Sequence, residues 1–316
     1  MTAGGSTPHF ADRLAALVAE RRSRVVLGLD PDPSALWPEA VERVGGDPGG
    51  AGRAGSARYL ARARTAEAVS EHCRAAIVAV GPACVAVKPQ LACFERLGAP
   101  GWEALERVVA IAHDHGLLVL ADGKRGDVPV TARAYAQALV GETPGPFGSI
   151  PGLGADAFTA NPLLGRDALE PLIEAAAQNA AGCFVLVRTS NPGAAEIQDE
   201  GDPPLYERLA RLVDELGVEH LGHCGLSAVS AVTGATRPDH LSRLRELMPR
   251  AVFLLPGVGA QGGRVEELGP AFAPHPAAGL VTASRSIVNA YAERGGEPDS
   301  AAVEAAEELR AAAWTL

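Results

Sequence analysis

The chain has 316 residues, 47% of them hydrophobic, and its 38 acidic against 28 basic side chains give a formal net charge of −10. This length and composition allow a sizeable core, in one large domain or two modest ones. The acidic balance argues against nucleic acid and anionic membranes as partners, and no apolar run approaches the roughly 18 residues of a membrane span.

The cysteines and the N-terminus bear on the cellular compartment. The five cysteines are scattered without a C-x-x-C pair, which favours a reducing environment over a disulfide framework. The first ten residues lack a basic segment followed by an apolar stretch, so we expect no secretory signal. A soluble, cytoplasmic protein is therefore expected.

Short apolar runs alternate with longer segments of helical periodicity, a pattern typical of parallel α/β folds. An N-terminal helix around Ala11–Arg21 would close the bottom of the structure. The predicted strands are, in chain order, Val25–Leu29, Cys84–Lys88, Leu117–Ala121, Ala155–Ala160, Cys183–Arg188, Leu226–Val232, Val252–Leu255 and Gly279–Ala283. Helical periodicity lies between strands, as in Trp102–His113, Tyr206–Leu216 and His240–Met248.

Eight strands with intervening helices favour a single-domain (β/α)8 TIM barrel over an open sheet. No Gly-x-Gly-x-x-Gly follows the first strand, which weakens a dinucleotide-binding interpretation. Three stretches interrupt the alternation. Gly45–Ser56 is half glycine and is predicted to be a flexible insert, Gly141–Gly154 is rich in Pro and Gly and is predicted to be loop, and Pro192–Leu205 could form a mobile cover.

The two lysines, Lys88 and Lys124, stand out in a chain whose other basic residues are all arginine. Arginine stays protonated, whereas lysine is a compact charge that can give up a proton. Both lysines lie where an apolar run meets a loop, at a strand end rather than on a helix surface. Each is therefore a candidate for chemistry that arginine cannot perform, the alternative being a chance survivor on a solvated face.

Charged and polar residues follow most predicted strands, at the end where barrel enzymes carry their active sites. They are Asp30, Lys88, Asp122, Lys124, Asn161, Thr189, Ser190 and Arg285. Residues i and i+2 of a strand share a side, so Asp122 and Lys124 should both face the interior, with Asp127 just beyond. Alternating opposite charges, attracting by roughly 4 kcal/mol per pair at about 4 Å, would keep Lys124 protonated and fixed. The alternative for Asp-x-Lys alone is a surface ion-pair network.

A second group of residues indicates phosphate binding. The glycine-rich loop Pro256–Gly263 and the segment Thr282–Ser286 follow the last two predicted strands, where barrels often bind phosphate. Glycines let backbone N–H groups approach the oxygens, and Arg285 supplies a bidentate cation.

Metal binding is weakly supported. His223-Cys224 is an isolated pair of potential ligands, and His113 and His115 suit a helix C-terminus. Asp30, Asp122 and Asp127 could hold Mg²⁺ through oxygen, but Lys124 between two of them already occupies that space with positive charge. We therefore expect no bound metal.

Together these motifs resemble the orotidine 5′-phosphate decarboxylase family, specifically its longer bacterial branch. The resemblance covers most of the chain, from Leu27-Gly28-Leu29-Asp30-Pro31-Asp32-Pro33 to Ser284-Arg285-Ser286-Ile287. Between them lie Val87-Lys88-Pro89-Gln90, Asp122-Gly123-Lys124-Arg125-Gly126-Asp127, Asn161-Pro162-x-Leu164-Gly165, Thr189-Ser190-Asn191-Pro192-Gly193 and Pro256-Gly257-Val258-Gly259-Ala260-Gln261.

The resemblance implies a (β/α)8 homodimer with shared active sites that converts orotidine 5′-phosphate to UMP and CO₂ without a cofactor. Lys124 would protonate C6 and Asp122 would lie against the departing carboxylate. Asp127 and Thr131 would contact the ribose in the partner's site, and Asp30 and Lys88 would contact the ribose hydroxyls. Ser190 would contact the pyrimidine. The phosphate end would be bound by Gly259, Gln261, Ser284 and Arg285, and Gln261 would also reach toward the base.

Two departures and two rival functions accompany this interpretation. Pro129 stands where many relatives have a Gly-containing segment, which affects the expected loop after Asp127 and the role of Thr131, and the insert at 45–56 is longer than expected.

One rival function is that of another sugar-phosphate barrel enzyme, either Mg²⁺-dependent or a Schiff-base aldolase, although an acidic residue would be expected near position 88 in the Mg²⁺ enzymes. The other is a non-enzymatic nucleotide-binding protein.

Overall fold

Eight parallel strands close into a barrel in the computed structural model, which describes residues 7–45, 54–259 and 262–316, with no side chains described for residues 54–57. The barrel strands are β1 (Val25–Leu29), β2 (Ala86–Pro89), β3 (Leu118–Arg125), β6 (Ala157–Ala160), β7 (Gly182–Arg188), β8 (Ser227–Thr233), β9 (Ala251–Pro256) and β10 (Gly279–Ala283). Each strand pairs with the next in this order, and β10 pairs with β1. The predicted TIM barrel is confirmed: every predicted strand is present, the first and last with the predicted bounds and the other six with one or both ends shifted by one to four residues.

Helices precede the first strand, occupy connections between strands and follow the last strand. They are α1 (Phe10–Arg21), α2 (Pro38–Val44), α3 (Ala54–Val80), α4 (Leu91–Glu95), α5 (Ala99–Asp114), α6 (Pro129–Leu139), α7 (Arg166–Gln178), α8 (Ala195–Gln198), α9 (Leu205–Gly217), α10 (Pro238–Leu247), α11 (Arg285–Val288), α12 (Ala290–Arg294) and α13 (Pro298–Trp314). In the part of the chain that the structure describes, no helix has both the length and the apolar character needed to cross a membrane.

The N-terminal helix α1 closes the bottom of the barrel, as the sequence predicted. Its buried side chains include Phe10, Leu14 and Val18, which belong to the same apolar cluster as inward-facing strand residues. The ring of Phe10 meets Phe184 of β7 edge to face, with centroids 5.9 Å apart. This apolar plug fills one end of the barrel and leaves the opposite, carboxyl-terminal end of the strands open to a ligand.

The stretch 141–154, predicted to be loop, contains a short hairpin of β4 (Glu142–Gly145) and β5 (Gly148–Pro151). Gly148 adopts a φ of +121°, which favours glycine at this tight turn. Both strands are exposed, so neither carries the alternation of buried and exposed residues by which strands are recognised. The loop prediction was wrong for this reason.

The other two interruptions have separate outcomes. In the predicted insert Gly45–Ser56, helix α3 already begins at Ala54, and residues 46–53 lie outside the described residues. In Pro192–Leu205, a 3-10 turn (Pro192–Ala194) is followed by α8. This second segment is folded and bonded to the end of β7, while its proposed motion as a cover stays a prediction.

Stability at mildly acidic pH should depend on His72, a buried residue of α3. Its Nδ1 accepts the Trp37 N–H at 3.1 Å, and burial lowers the pKa of His72 to about 4. In the unfolded chain the pKa of His72 is about 6.5, so on acidification the unfolded state takes up this proton before the folded state does. Stability is therefore full above pH 6.5 and is lost as the pH falls through the folded-state pKa. We expect the free energy of unfolding to fall by about 3 kcal/mol from this group between pH 7 and 4.

Urea unfolding of wild type and His72→Gln across this pH range measures the effect. Glutamine can accept the Trp37 N–H but does not titrate, so the variant should lose less stability on acidification. Parallel pH profiles for the two proteins would contradict the prediction.

Candidate active site

The open mouth of the barrel holds a cavity of about 360 Å³. The cavity is bounded by strand ends and the loops that follow them. Its lining consists of Asp30, Lys88, Gln90, Asp122, Lys124, Thr159, Thr189, Ser190, Asn191, Val232, Leu254, Pro256, Gly257, Val258, Thr282, Ser284, Arg285 and Ser286. Eight residues singled out in the sequence, from five different strand ends, therefore meet in one place: Asp30, Lys88, Asp122, Lys124, Thr189, Ser190, Ser284 and Arg285.

Four of these residues form a line of alternating charge. Lys88 Nζ lies 3.7 Å from Asp30 Oδ1 and 2.8 Å from Asp122 Oδ2, and the other oxygen of Asp122, Oδ1, is 2.7 Å from Lys124 Nζ. The line crosses from β1 through β2 to β3, three adjacent strands of the barrel. Each internal charge thus has an opposite charge on both sides.

Electrostatics keep the middle of this line ionised. Burial alone would raise the pKa of Asp122, but Lys88 and Lys124 outweigh burial and hold that pKa well below its usual range. Burial likewise opposes a charged Lys88, yet the carboxylates of Asp122 and Asp30 raise its pKa. Removing one partner of such a buried pair costs about 3–5 kcal/mol, because the other charge is left uncompensated.

The two lysines differ in access to the cavity. The side chain of Lys88 is 8% exposed, whereas that of Lys124 is 43% exposed and lies at the end of the line. Lys124 is also one of the few residues other than glycine with positive φ, at +48°, where β3 shifts register between Ala121 and Arg125. Such a conformation costs about 1–3 kcal/mol and persists only where surrounding contacts compensate for it. Both lysines line the cavity, and Lys124 is the more exposed of the two to a ligand.

The opposite side of the cavity offers a cationic and glycine-rich surface. Ser284 and Arg285 follow β10, and within the described ranges the guanidinium of Arg285 has no carboxylate partner. Gly259 has a φ of +74°, and its N–H donates to Gly263 O at 3.0 Å in a tight turn beside this surface. A Cβ on Gly259 would lie 3.0 Å from the Ser286 side chain, so glycine fits this approach. Gln261 lies outside the described residues.

The third side of the cavity is built from the loop after β7. Thr189 N–H donates to Gln198 Oε1 at 2.8 Å, and Arg188 pairs with Asp199, which ties the following segment to the strand end. Ser190 is approached closely by the next strand's loop. A Cβ on Gly234 would lie 2.8 Å from the Ser190 backbone, so only glycine leaves Ser190 where it is.

Three of the described residues that were predicted to form the site do not line the cavity of their own chain: Gly259, which lies in the turn beside it, and Asp127 and Thr131, which lie beyond the end of β3. Asp127 follows β3, and its Oδ1 accepts the Val128 N–H at 2.8 Å, while Thr131 is exposed in the first turn of α6. Pro129 is the first residue of α6, where a missing N–H is tolerated. The departure at Pro129 is thus accommodated without breaking the helix.

The sequence analysis gave no role to several polar residues of the cavity, among them Gln90, Thr159 and Thr282. Gln90 Nε2 donates to Asp122 Oδ2 at 3.2 Å, and Thr159 Oγ1 donates to Asp122 Oδ1 at 2.9 Å. Thr282 is buried, and its hydroxyl has no hydrogen-bond partner among the described residues. A signal existed for Gln90 and Thr282, because both lie in motifs already noted at strand ends, but Thr159 lies inside an apolar strand.

A search of the described residues finds no group of three or more His, Cys, Asp and Glu side chains arranged to hold a metal ion. Asp30 and Asp122 approach each other only through Lys88, whose ammonium occupies the space between them. The donor set therefore suits an internal ion pair better than a divalent cation.

Comparison with known proteins gives a consistent family. A model of the Orotidine 5′-phosphate decarboxylase / HUMPS family matches residues 23–295. A protein of Deinococcus radiodurans named orotidine 5′-phosphate decarboxylase is 38% identical over 307 residues, which cover 97% of this chain and 98% of the relative. One of Haloarcula marismortui with the same name is 41% identical over 286 residues, covering 89% and 87%.

A solved structure agrees with these sequence matches. The OMP decarboxylase structure from Leishmania donovani superimposes with a TM-score of 0.69 at 29% identity, covering 97% of this chain and 99% of that one. The family model, the near full-length relatives and the shared barrel all lead to one assignment. This chain belongs to the orotidine 5′-phosphate decarboxylase / HUMPS family.

Proposed function

We propose that this protein is an orotidine 5′-phosphate decarboxylase, a carboxy-lyase that forms UMP and CO₂ in pyrimidine biosynthesis without a metal or organic cofactor. The relatives named above support the reaction class. We further propose that it acts in the cytoplasm, in keeping with five free cysteines.

One observation carries the proposal: the line Asp30–Lys88–Asp122–Lys124 shares a single cavity with Arg285. A nucleotide carries its phosphate at one end and its base at the other. Arg285 suits the phosphate, since a guanidinium binds phosphate oxygens in bidentate fashion. The charged line then faces the base, where the bond breaks, and Gly259, Ser284 and Gln261 would complete the phosphate end.

The chemistry follows from the charges. The C6–carboxylate bond breaks heterolytically, CO₂ leaves, and the electron pair stays on C6 in the plane of the ring, where the π system cannot absorb it. The Lys124 ammonium stabilises this developing charge and then transfers a proton to C6, regaining one from solvent later. Asp122 lies against the substrate carboxylate, and this repulsion is relieved when CO₂ departs.

Binding contacts far from C6 supply the free energy that holds the substrate carboxylate against Asp122. Binding of the phosphate by Arg285 and of the ribose by Asp30 and Lys88 can hold two carboxylates together in the ground state. Ser190, beside Gly234, would fix the pyrimidine. A protein that only binds nucleotides gains nothing from such juxtaposed like charges.

Asp127 and Thr131 suggest a shared active site. Both lie outside the cavity of their own chain, next to the apolar side chains of Val128 and Val130, which are 53% and 85% exposed. We propose a homodimer in which this segment meets the partner's ribose. The exposed valines would then be covered by the second subunit.

The direct test is to follow the loss of orotidine 5′-phosphate absorbance on adding purified protein. Turnover unaffected by EDTA, with stoichiometric UMP and CO₂, is expected. Inhibition by EDTA would favour a Mg²⁺-dependent enzyme of the same family, and trapping of a substrate adduct by borohydride would favour a Schiff-base aldolase. Either result, or no turnover, would overturn the proposal.

Arg285→Ala should weaken UMP binding about 100-fold and leave uridine binding unchanged, because the lost contact is to the phosphate alone. Isothermal titration of both ligands measures this difference. Arg294→Ala is the matched control, since Arg294 lies nearby on α12, pairs with Glu308 and does not line the cavity. An equal loss of affinity for uridine and for UMP would mean that Arg285 does not bind the phosphate.

A further inference from the structure

The backbone of Lys124 is held in an unusual conformation. Its φ is +48°, and β3 loses register with β6 between Ala121 and Arg125. A lysine does not adopt this left-handed region without compensating contacts, because its Cβ crowds the following carbonyl. The position of the Lys124 ammonium therefore depends on whatever stabilises this turn of the backbone.

Thr159 of β6 makes hydrogen bonds that stabilise the left-handed backbone conformation of Lys124. Its Oγ1 accepts the Lys124 N–H at 2.8 Å and lies 2.9 Å from Asp122 Oδ1, to which it donates. A hydroxyl has one proton, so accepting from Lys124 leaves that proton for the carboxylate. The same Asp122 oxygen accepts from Lys124 Nζ at 2.7 Å. One hydroxyl thus joins the backbone of Lys124 to the carboxylate that its side chain binds.

We propose that Thr159 is a positioning residue, which sets both the backbone turn at Lys124 and the orientation of Asp122. The catalytic half of this proposal rests on the decarboxylase function proposed above. Thr159 acts through Lys124 and Asp122, since its hydroxyl is already engaged by both. Without the hydroxyl, the partly buried Lys124 N–H and an Asp122 carboxylate oxygen each lose a partner, and Lys124 is free to leave its strained conformation.

A packing role makes the opposite prediction. Thr159 is 1% exposed, so its methyl group also fills space. Valine keeps the shape of threonine and loses the hydroxyl, whereas serine keeps the hydroxyl and loses the methyl. Positioning requires that serine preserve activity and valine not, while packing requires the reverse.

The kinetic test compares Thr159→Val, Thr159→Ser and a control, Thr233→Val. Thr233 is also buried at a strand end, but its hydroxyl has no partner within the described residues. We expect Thr159→Val to lower kcat for orotidine 5′-phosphate about 10- to 100-fold, with UMP affinity changed by less than about twofold. The kcat of Thr159→Ser should stay within about threefold of wild type, and the kcat of Thr233→Val should equal that of wild type.

A second readout needs no activity. The chain has only two lysines, so labelling with ¹⁵N-lysine yields two backbone amide signals, from Lys88 and Lys124. In Thr159→Val the Lys124 amide should shift and exchange its proton at least about tenfold faster, with Lys88 as the internal control. Wild type and Thr159→Ser should keep the Lys124 amide protected.

These readouts separate the two proposals. Failure of the wild type to consume orotidine 5′-phosphate would overturn the proposed function, while the amide signals would still decide the positioning of Lys124. Unchanged kcat and unchanged Lys124 exchange in Thr159→Val would overturn the role of Thr159. If Thr159→Val does not fold, Thr159→Ser against Thr159→Ala, which differ by the hydroxyl alone, gives the same comparison.

Discussion

Replacing Lys124 by alanine should lower kcat for orotidine 5′-phosphate by about 10⁴-fold. Two contributions are lost together: a general acid contributes about 10²–10⁴-fold, and a preorganised charge beside the developing carbanion about 10²–10³-fold. The variant should still bind UMP within about tenfold of wild type, because Arg285 and the glycine-rich loop form the other side of the cavity. Stopped assays of UMP formation at saturating substrate measure the loss.

Lys124→Arg tests whether charge alone is enough. Arginine keeps the positive charge beside Asp122, but it is planar, larger and does not give up a proton at neutral pH. We expect almost the same loss as with alanine, since proton transfer to C6 is abolished and the cation moves. Substantial activity in this variant would show that electrostatic attraction suffices.

A matched control guards against general effects of removing a cation. Arg211→Ala removes a half-exposed positive charge on α9 that pairs with Glu207, away from the cavity. Its kcat should equal that of wild type. An undiminished Lys124→Ala enzyme would refute the mechanism, whatever the family of the protein.

The barrel was predictable because its strands are short apolar runs with helical periodicity between them. The barrel strands are largely buried, and the connections are long enough to return on the outside. The polar residue after each run then locates the mouth, since the carboxyl ends of parallel strands meet at one end. Asp30, Lys88 and Asp122 could be placed together on that argument alone.

The limits of β3 were not predictable in the same way. The apolar run stops at Ala121, but the strand continues to Arg125, and Asp122 and Lys124 of this extension line the cavity. An isolated bridge between Gln90 and Asp122 and the bond from Lys124 N–H to Thr159 hold this extension. Polar residues do not follow the apolar pattern that marks a buried strand, so the sequence does not predict that β3 extends beyond Ala121.

Thr159 was missed for a related reason. It lies in Ala157–Ala160, a buried apolar strand, and one threonine there is indistinguishable from a core residue. Its importance comes from the register of β6 beside β3, where Phe158 pairs with Ala121 and brings the hydroxyl to Asp122. Cross-strand register is a property of the closed barrel, which local sequence does not specify.

Mixing two inactive variants should restore activity if subunits share active sites. Asp122→Asn removes a residue of the cavity in the same chain, while Asp127→Asn removes one that we assign to the partner's site. Each variant alone should lose at least about 10³-fold in kcat, because every site in its dimer is defective. In a mixed dimer, one site combines both substitutions and the other site has neither.

Random reassociation of equal amounts makes half of the dimers mixed, so about a quarter of all sites should be intact. After denaturation and joint refolding, we therefore expect about a quarter of wild-type activity. Refolding the variants separately and mixing them just before the assay is the control, and it should remain inactive until subunits exchange. Asp114→Asn is the matched control for the loss in Asp127→Asn: Asp114 is exposed at the end of α5, outside the cavity, so this variant alone should keep wild-type kcat. Joint refolding without recovery would mean that Asp127 serves its own chain, and the interface of the proposed dimer would have to lie away from Val128 and Val130.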